Sequence, residues 1–210
     1  AKLKAKYASL RMADMDAYIG VRGGENCNEF SDVPEENLQI EDRFYTGPVH
    51  IDLRIKKTKW VYLRYPNQGM AQQAGMSTDA FEDFYFKVCN LDYSKMDRAM
   101  DALKKRMDNA DKVRIIAKGT DLTFSIKGIG SQKCSGERNI PDGEIYSAPI
   151  KNSVNGKITY NTPSIENGFK FENVSLTFKD GKIINATAND NKKLNAILDT
   201  DEGARYVGEF

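Results

Sequence analysis

Residues 134–149 read CSGERNIPDGEIYSAP. Turn formers crowd this stretch: Gly136, Asn139, Pro141, Gly143 and Pro149, with the acidic residues Glu137, Asp142 and Glu144 among them. An apolar, strand-like pair, Ile145-Tyr146, follows Glu144 at once. The stretch belongs to a longer aperiodic run that begins near Gly128 (GIGSQKCSGERNIPDG), and sequence character changes across it. Helical and strand patterns alternate before it, and strand patterns dominate after it. The expectation is an α/β chain: residues 1–130 form an α/β domain, and residues 131–210 open a β-rich domain.

Working outward, residues 1–12 predict a short basic helix with Leu3, Tyr7 and Leu10 at helical spacing. Asp16–Arg22 reads as a strand ending at Gly23-Gly24. Pro34–Phe44 reads as a helix with Pro34 in its first turn. His50 falls in an alternating, strand-like PVHIDL. Trp60–Tyr65 is a strand closed by Pro66. Ser77 is the expected N-cap of the next helix, and Ser94–Asn109 follows with an apolar stripe of Met96, Ala99, Met100, Leu103 and Met107. Strands are expected at Lys112–Ala117, Asp121–Ile126 and Lys157–Tyr160. A hairpin is expected over Val174–Phe178 and Lys182–Ala186, turning at Asp180-Gly181. Helical stretches are expected at Asn191–Leu198 and Glu202–Glu209.

Composition removes several classes of function. Thirty-one basic residues nearly cancel 30 acidic ones, so no strong net field draws nucleic acid or anionic lipid. No apolar run approaches the ~20 residues that span a bilayer. Cys27, Cys89 and Cys134 are odd in number, far apart and in no CxxC pattern, which fits reduced thiols in a cytoplasmic protein. The single histidine, His50, leaves no Ser-His-Asp arrangement to build. No phosphate-binding loop or nucleophile elbow is present, which counts against an unrelated α/β hydrolase.

Two carboxylates stand out. Glu144 starts a strand immediately after a Pro-Asp-Gly turn, where stiff backbone suits a metal ligand or a general base. Glu209 follows Ala204, Val207 and Gly208 in the last expected helix. Spacing alone also fits the plainer readings, a solvated turn residue and an exposed helical Glu.

Asn139-Ile140-Pro141-Asp142-Gly143-Glu144-Ile145-Tyr146-Ser147-Ala148-Pro149 closely resembles the N-x-P-x-x-E-[VI]-[FY]-[TS]-A-P signature of the aminopeptidase T, aminopeptidase S and PepS family of metallopeptidases. Lys118–Thr123 (KGTDLT) is similar to that family's GTDLT strand. Trp60–Pro66 followed by Ala74–Ser77 resembles its tryptophan strand and helix. Leu198–Glu209 (LDTDEGARYVGE) resembles its LDTDEGAR…GE segment. The four occur in the family's order.

The resemblance implies a metal-dependent aminopeptidase, an exopeptidase acting on peptide substrates with two divalent ions (zinc, cobalt or manganese). Carried over residue by residue, the metal ligands are Glu144 and Glu209. A homodimer is implied for the intact enzyme, with no nucleic acid or membrane partner. The family's remaining ligands, two His, a Tyr and an Asp, lie beyond the position matched by Phe210, and its first N-terminal segment precedes Ala1. With termini that lack helix caps, this makes the expected chain a central fragment, inactive alone for want of those ligands. The alternative is a non-catalytic binding or assembly domain that keeps the family scaffold.

Overall fold

The computed structural model describes residues 1–22, 24–26, 28–166 and 168–210. Cys27 and the Gly23 end of the first strand lie outside the described residues. In chain order the elements are α1 (Lys2–Ala13), β1 (Ala17–Arg22), α2 (Glu35–Glu41), a π-helix (Asp42–Ile55), β2 (Lys59–Arg64), α3 (Gln68–Gln73), α4 (Thr78–Cys89) and α5 (Tyr93–Asp108). They continue with β3 (Lys112–Ala117), β4 (Thr120–Ser125), β5 (Gln132–Cys134), β6 (Asn139–Ile140), β7 (Glu144–Tyr146) and β8 (Asn155–Thr159). Last come β9 (Ser164–Glu166), β10 (Phe169–Phe171), β11 (Ser175–Lys179), β12 (Lys182–Thr187) and α6 (Asn191–Leu198). The fold is mixed α/β, as the sequence predicts. Among the described residues no helix is long and apolar enough to cross a membrane.

The chain forms two compact units, Ala1–Asp92 with Gly136–Asp142, and Tyr93–Ser135 with Gly143–Phe210. The first crossing, at 92/93, does not coincide with the change of sequence character near Gly128.

In the first unit β1, β2 and the two-residue β6 form a parallel sheet in the order β1-β2-β6. Ala5 and Met12 of α1 bury against Val49 of the π-helix. Ser77 caps α4, its Oγ accepting from the Ala80 N–H at 3.3 Å. One turn apart on α4, Phe81 and Tyr85 bury beside Ala71, and the Tyr85 hydroxyl donates to the Arg64 carbonyl at 2.7 Å. Burial pushes both the Tyr85 and Cys89 acids up from their ordinary values.

One expectation fails in this unit. PVHIDL is not a strand, because the helix begun at Glu35 continues as a π-helix to Ile55 and carries His50 with it. The alternation of apolar residues there comes from a helix with a wider turn that buries only Val49 fully.

The second unit is built on an antiparallel sheet in the order β12-β11-β8-β4-β3. On β4, Thr120, Leu122 and Phe124 are buried while Asp121 and Thr123 face solvent, the period-two pattern of a half-buried strand. Leu122, Phe124, Phe171, Phe178 and Ile183 share one core with Leu194 of α6. Burying each of these large side chains contributes about 1.5–3 kcal/mol. The β11–β12 hairpin turns at Asp180 (φ 50°) and Gly181 (φ 87°), the two left-handed positions of a type I′ turn. Of the methionine stripe on α5, Met100 is buried and Leu103 is 53% exposed, so only part of that face serves as core.

Gly156 stands where β8 meets both β4 and β11, opposite Leu122 and Phe178. Its φ is +113°, and an added Cβ would run into the Asp121 carbonyl. Gly156→Ala is therefore expected to cost roughly 2 kcal/mol or more, read as a lowered midpoint in urea denaturation.

Candidate functional site

Glu144 is the first residue of β7, and β7 pairs antiparallel with β5: Gln132 opposite Tyr146, Lys133 opposite Ile145, Cys134 opposite Glu144. Two three-residue strands hold little stability of their own, and α5 supplies the rest. Lys133 Nζ lies 2.7 Å from Asp97 Oδ1 and 2.7 Å from Asp101 Oδ1, and it donates to the Asp97 carbonyl at 3.0 Å. Ser135 Oγ adds a bond to Asp97 Oδ1 at 3.1 Å. Asp97 and Asp101 stand one helical turn apart, so a single ammonium reaches both. Further along α5, Asp108 Oδ1 accepts from both the N–H and the hydroxyl of Ser131 at 2.7 Å. Lys104 Nζ donates to the Ser131 carbonyl at 2.6 Å. The strand opposite Glu144 is thus fastened to the helix along its length.

The turn before Glu144 follows the sequence reading. Ile140-Pro141 is cis and Gly143 has φ +134°, a conformation that excludes ordinary side chains. A Cβ at Gly143 would also sit 2.9 Å from Met96 Sδ. Asp142 closes the segment of the first unit to which it belongs, its Oδ2 accepting from the Gly136 N–H at 2.9 Å.

Glu209 is not on a helix. Residues 199–210 run irregularly, because long-range partners claim their backbone. Asp201 Oδ1 accepts from the N–H groups of Gly203 and Ala204 at 2.6 and 2.8 Å, forming a local Asp turn. Arg205 grips Asp199 through Nε and an Nη nitrogen at 2.6 and 2.9 Å. Its carbonyl accepts from the Ile183 N–H at 2.9 Å, and Tyr206 bridges to Lys182. The segment then reaches Ser147. The Ser147 N–H donates to the Phe210 carbonyl at 3.2 Å, and the Phe210 N–H donates to the Ser147 carbonyl at 3.0 Å. Phe210 also packs edge-on against Phe124, ring centroids 4.6 Å apart.

The structure therefore joins the two segments that carry the candidate glutamates. Glu144 lies three residues before Ser147, and Glu209 one residue before Phe210. Both side chains are exposed and both lie in the second unit. Carboxylate oxygens are of the kind that suit a hard or borderline divalent ion. His50 lies in the first unit. Its Nδ1 accepts from Arg54 Nε at 3.2 Å, and its ring meets Tyr18 and Tyr45 edge-on, a packed histidine. Sequence reasoning missed Ser147, Lys133, Asp97 and Asp101 as supports. The one signal available was the recurrence of Asp97, Asp101 and Asp108 along α5.

The solved structure of wild-type AmpT from Thermus thermophilus has a TM-score of 0.78 over 99% of this chain and 58% of that one, at 21% identity. The two share a fold. Aminopeptidase PepS of Streptococcus thermophilus is 29% identical over 98% of this chain and 54% of its own length. Aminopeptidase AmpS of Bacillus subtilis (strain 168) is 35% identical over 44% of this chain and 25% of its own length. The chain thus spans about half of PepS, and its matched part a quarter of AmpS. The scaffold is that of a metalloprotease. The family model described as thermophilic metalloprotease (M29) matches residues 2–210, and the chain belongs to that family.

The clamp on β5 has a defined pH window. The hydrogen bond from Lys133, with that from Ser135, holds the Asp97 carboxyl below its usual value against a smaller opposing effect of burial. The Asp101 and Asp97 carboxylates hold the Lys133 ammonium above its usual value. A lowered Asp contributes stability above about pH 3.9, its unfolded value, and loses it as pH falls through the folded one. A raised Lys contributes below about pH 10.4 and loses it as pH climbs through the folded value. Asp97→Asn is therefore expected to melt lower than the parent at neutral pH, with the gap closing on acidification. Amide hydrogen exchange in β5 and β7 should quicken in the same variant at neutral pH.

Proposed function

We propose that this chain is the part of a metal-dependent aminopeptidase that carries the first two metal ligands, Glu144 and Glu209, and that the whole enzyme releases N-terminal amino acids from peptides. The reading rests on family membership across residues 2–210 and on the Ser147–Phe210 pairing that ties the two glutamate-bearing segments together. Glu144 enters the site from a ribbon held by α5, and Glu209 from an irregular segment anchored by Phe210. Each carboxylate would offer oxygen from backbone that neither thermal motion nor solvent readily displaces, the precision that a ligand requires. Bound divalent ions supply a water of lowered pKa and a polarised substrate carbonyl. Zinc, cobalt(II) and manganese(II) all accept such oxygen ligands. The intact enzyme is a cytoplasmic homodimer in this proposal, and the 210 residues alone turn over little or no substrate, because two carboxylates coordinate an ion incompletely.

Isothermal titration of the chain with zinc, cobalt(II) and manganese(II) chloride tests the ligand assignment. Glu144→Gln and Glu209→Gln are each expected to weaken binding by about tenfold or more, since even the outer partners of a ligand cost 10–100-fold. Unchanged affinity in either variant removes that residue from the site. Leucine p-nitroanilide with each metal tests the rest. Little or no release of p-nitroaniline is expected, and turnover at a full-length relative's rate overturns the two-ligand count.

A further inference from the structure

Glu144 does not stand alone on its ribbon. Cys134 of β5 lies directly opposite it in the β5–β7 register, and directly opposed residues of an antiparallel pair project from the same face. Lys133 and Ser135, on either side of Cys134, both bond Asp97 of α5. Alternation along the extended chain therefore sends Cys134 to the face away from that clamp, where Glu144 also emerges. The side chains agree: Cys134 Sγ and a Glu144 carboxylate oxygen lie within 4.8 Å of each other. Both residues belong to the second unit. Cys134 carries a thiol rather than a disulfide, and it is half-buried where Glu144 is exposed.

That spacing suits one shared ion. A zinc–sulfur bond is about 2.3 Å and a zinc–carboxylate bond about 2.1 Å, so tetrahedral coordination sets the two donors about 3.6 Å apart. The exposed Glu144 side chain can shift to cover the remaining gap. The backbone beneath the pair is already fixed, by the Lys133 clamp on one strand and by the Gly143 turn on the other, which is what a ligand pair requires. Thiolate sulfur is also a softer donor than carboxylate oxygen. It favours zinc, whereas all-oxygen sites suit manganese(II).

We infer that Cys134 is a metal donor beyond the two glutamates: its thiolate joins Glu144 on one ion and biases that site toward zinc over manganese(II). The inference rests on the reading of Glu144 as a metal ligand. Binding breaks the Cys134 S–H bond, forms a metal–sulfur bond and releases one proton to solvent.

Cobalt(II) makes the test spectroscopic, because thiolate on cobalt gives a near-ultraviolet charge-transfer band that oxygen ligands do not. The reduced chain, freed of thiol reductants, is titrated with cobalt(II) chloride while absorbance is read and the heat of binding is measured in parallel. A saturable band is expected in the parent. It should persist in the double variant Cys27→Ser with Cys89→Ser, where Cys134 is the remaining thiol, and vanish in Cys134→Ser. By calorimetry Cys134→Ser should bind zinc about tenfold more weakly or worse, since even the outer partners of a ligand cost about 10–100-fold, with manganese(II) affinity nearly unchanged. Far-ultraviolet circular dichroism establishes that the variants fold. Saturating cobalt heat in the parent without the band overturns the inference and leaves Glu144 a ligand. A band that survives in Cys134→Ser, or that the double variant loses, likewise overturns it. A band unchanged in Glu144→Gln, or no cobalt binding at all, overturns both the inference and the reading of Glu144.

Discussion

Ser147 makes one junction on which the arrangement of the second unit depends. It is 3% exposed, and all of its polar atoms are used. Its N–H and carbonyl exchange bonds with Phe210, and its hydroxyl donates to the Gly130 carbonyl at 2.6 Å. Three segments distant in sequence meet at this residue: the loop after β4, the strand that begins at Glu144, and the end of the chain. Every one of those bonds is shielded from water, so leaving any partner unmade would cost the desolvation of a buried polar group. A small hydroxyl side chain suits the position because a larger one would separate the strands, and an apolar one would orphan the Gly130 carbonyl.

That junction explains why the surroundings of the two glutamates could not be read from sequence. The Asp180-Gly181 turn, the Ser77 cap and the Asn191–Leu198 helix are local events, decided by residues within a few positions. They follow the expected boundaries closely. The failures in the second unit are long-range. Glu202–Glu209 contains acceptable helix formers, but Arg205 and Tyr206 are captured by β12 and Phe210 by Ser147. A helix would have to forfeit those bonds, and Gly203 and Gly208 weaken the local case for making one. The β5–β7 ribbon is too short to show a period, and its stability comes from α5, some 30 residues away.

The π-helix is a different kind of failure. Leu53 and Val49 lie on the side that meets α1, while Ile51 is 46% exposed. Read with a two-residue period, these positions imitate a strand. Read with the wider π turn, His50 and Arg54 fall on one side and Val49 and Leu53 on another. The sequence carried the i, i+4 pairing of His50 with Arg54, but only tertiary packing against α1 decides which period applies.

The two units use their charge differently. In the second unit Lys133, Lys104 and Arg205 are each matched to carboxylates that brace the Glu144 ribbon or the irregular segment that carries Glu209, while Glu144 and Glu209 themselves are exposed. In the first unit Arg54 and Arg138 instead meet the Trp60 ring, and among the described residues neither forms an ion pair. A chain with a net charge of +1 could have paired these groups, since acids and bases are nearly equal in number. Their segregation therefore reflects placement by the fold, and that placement, not the net charge, sets the local field around each group.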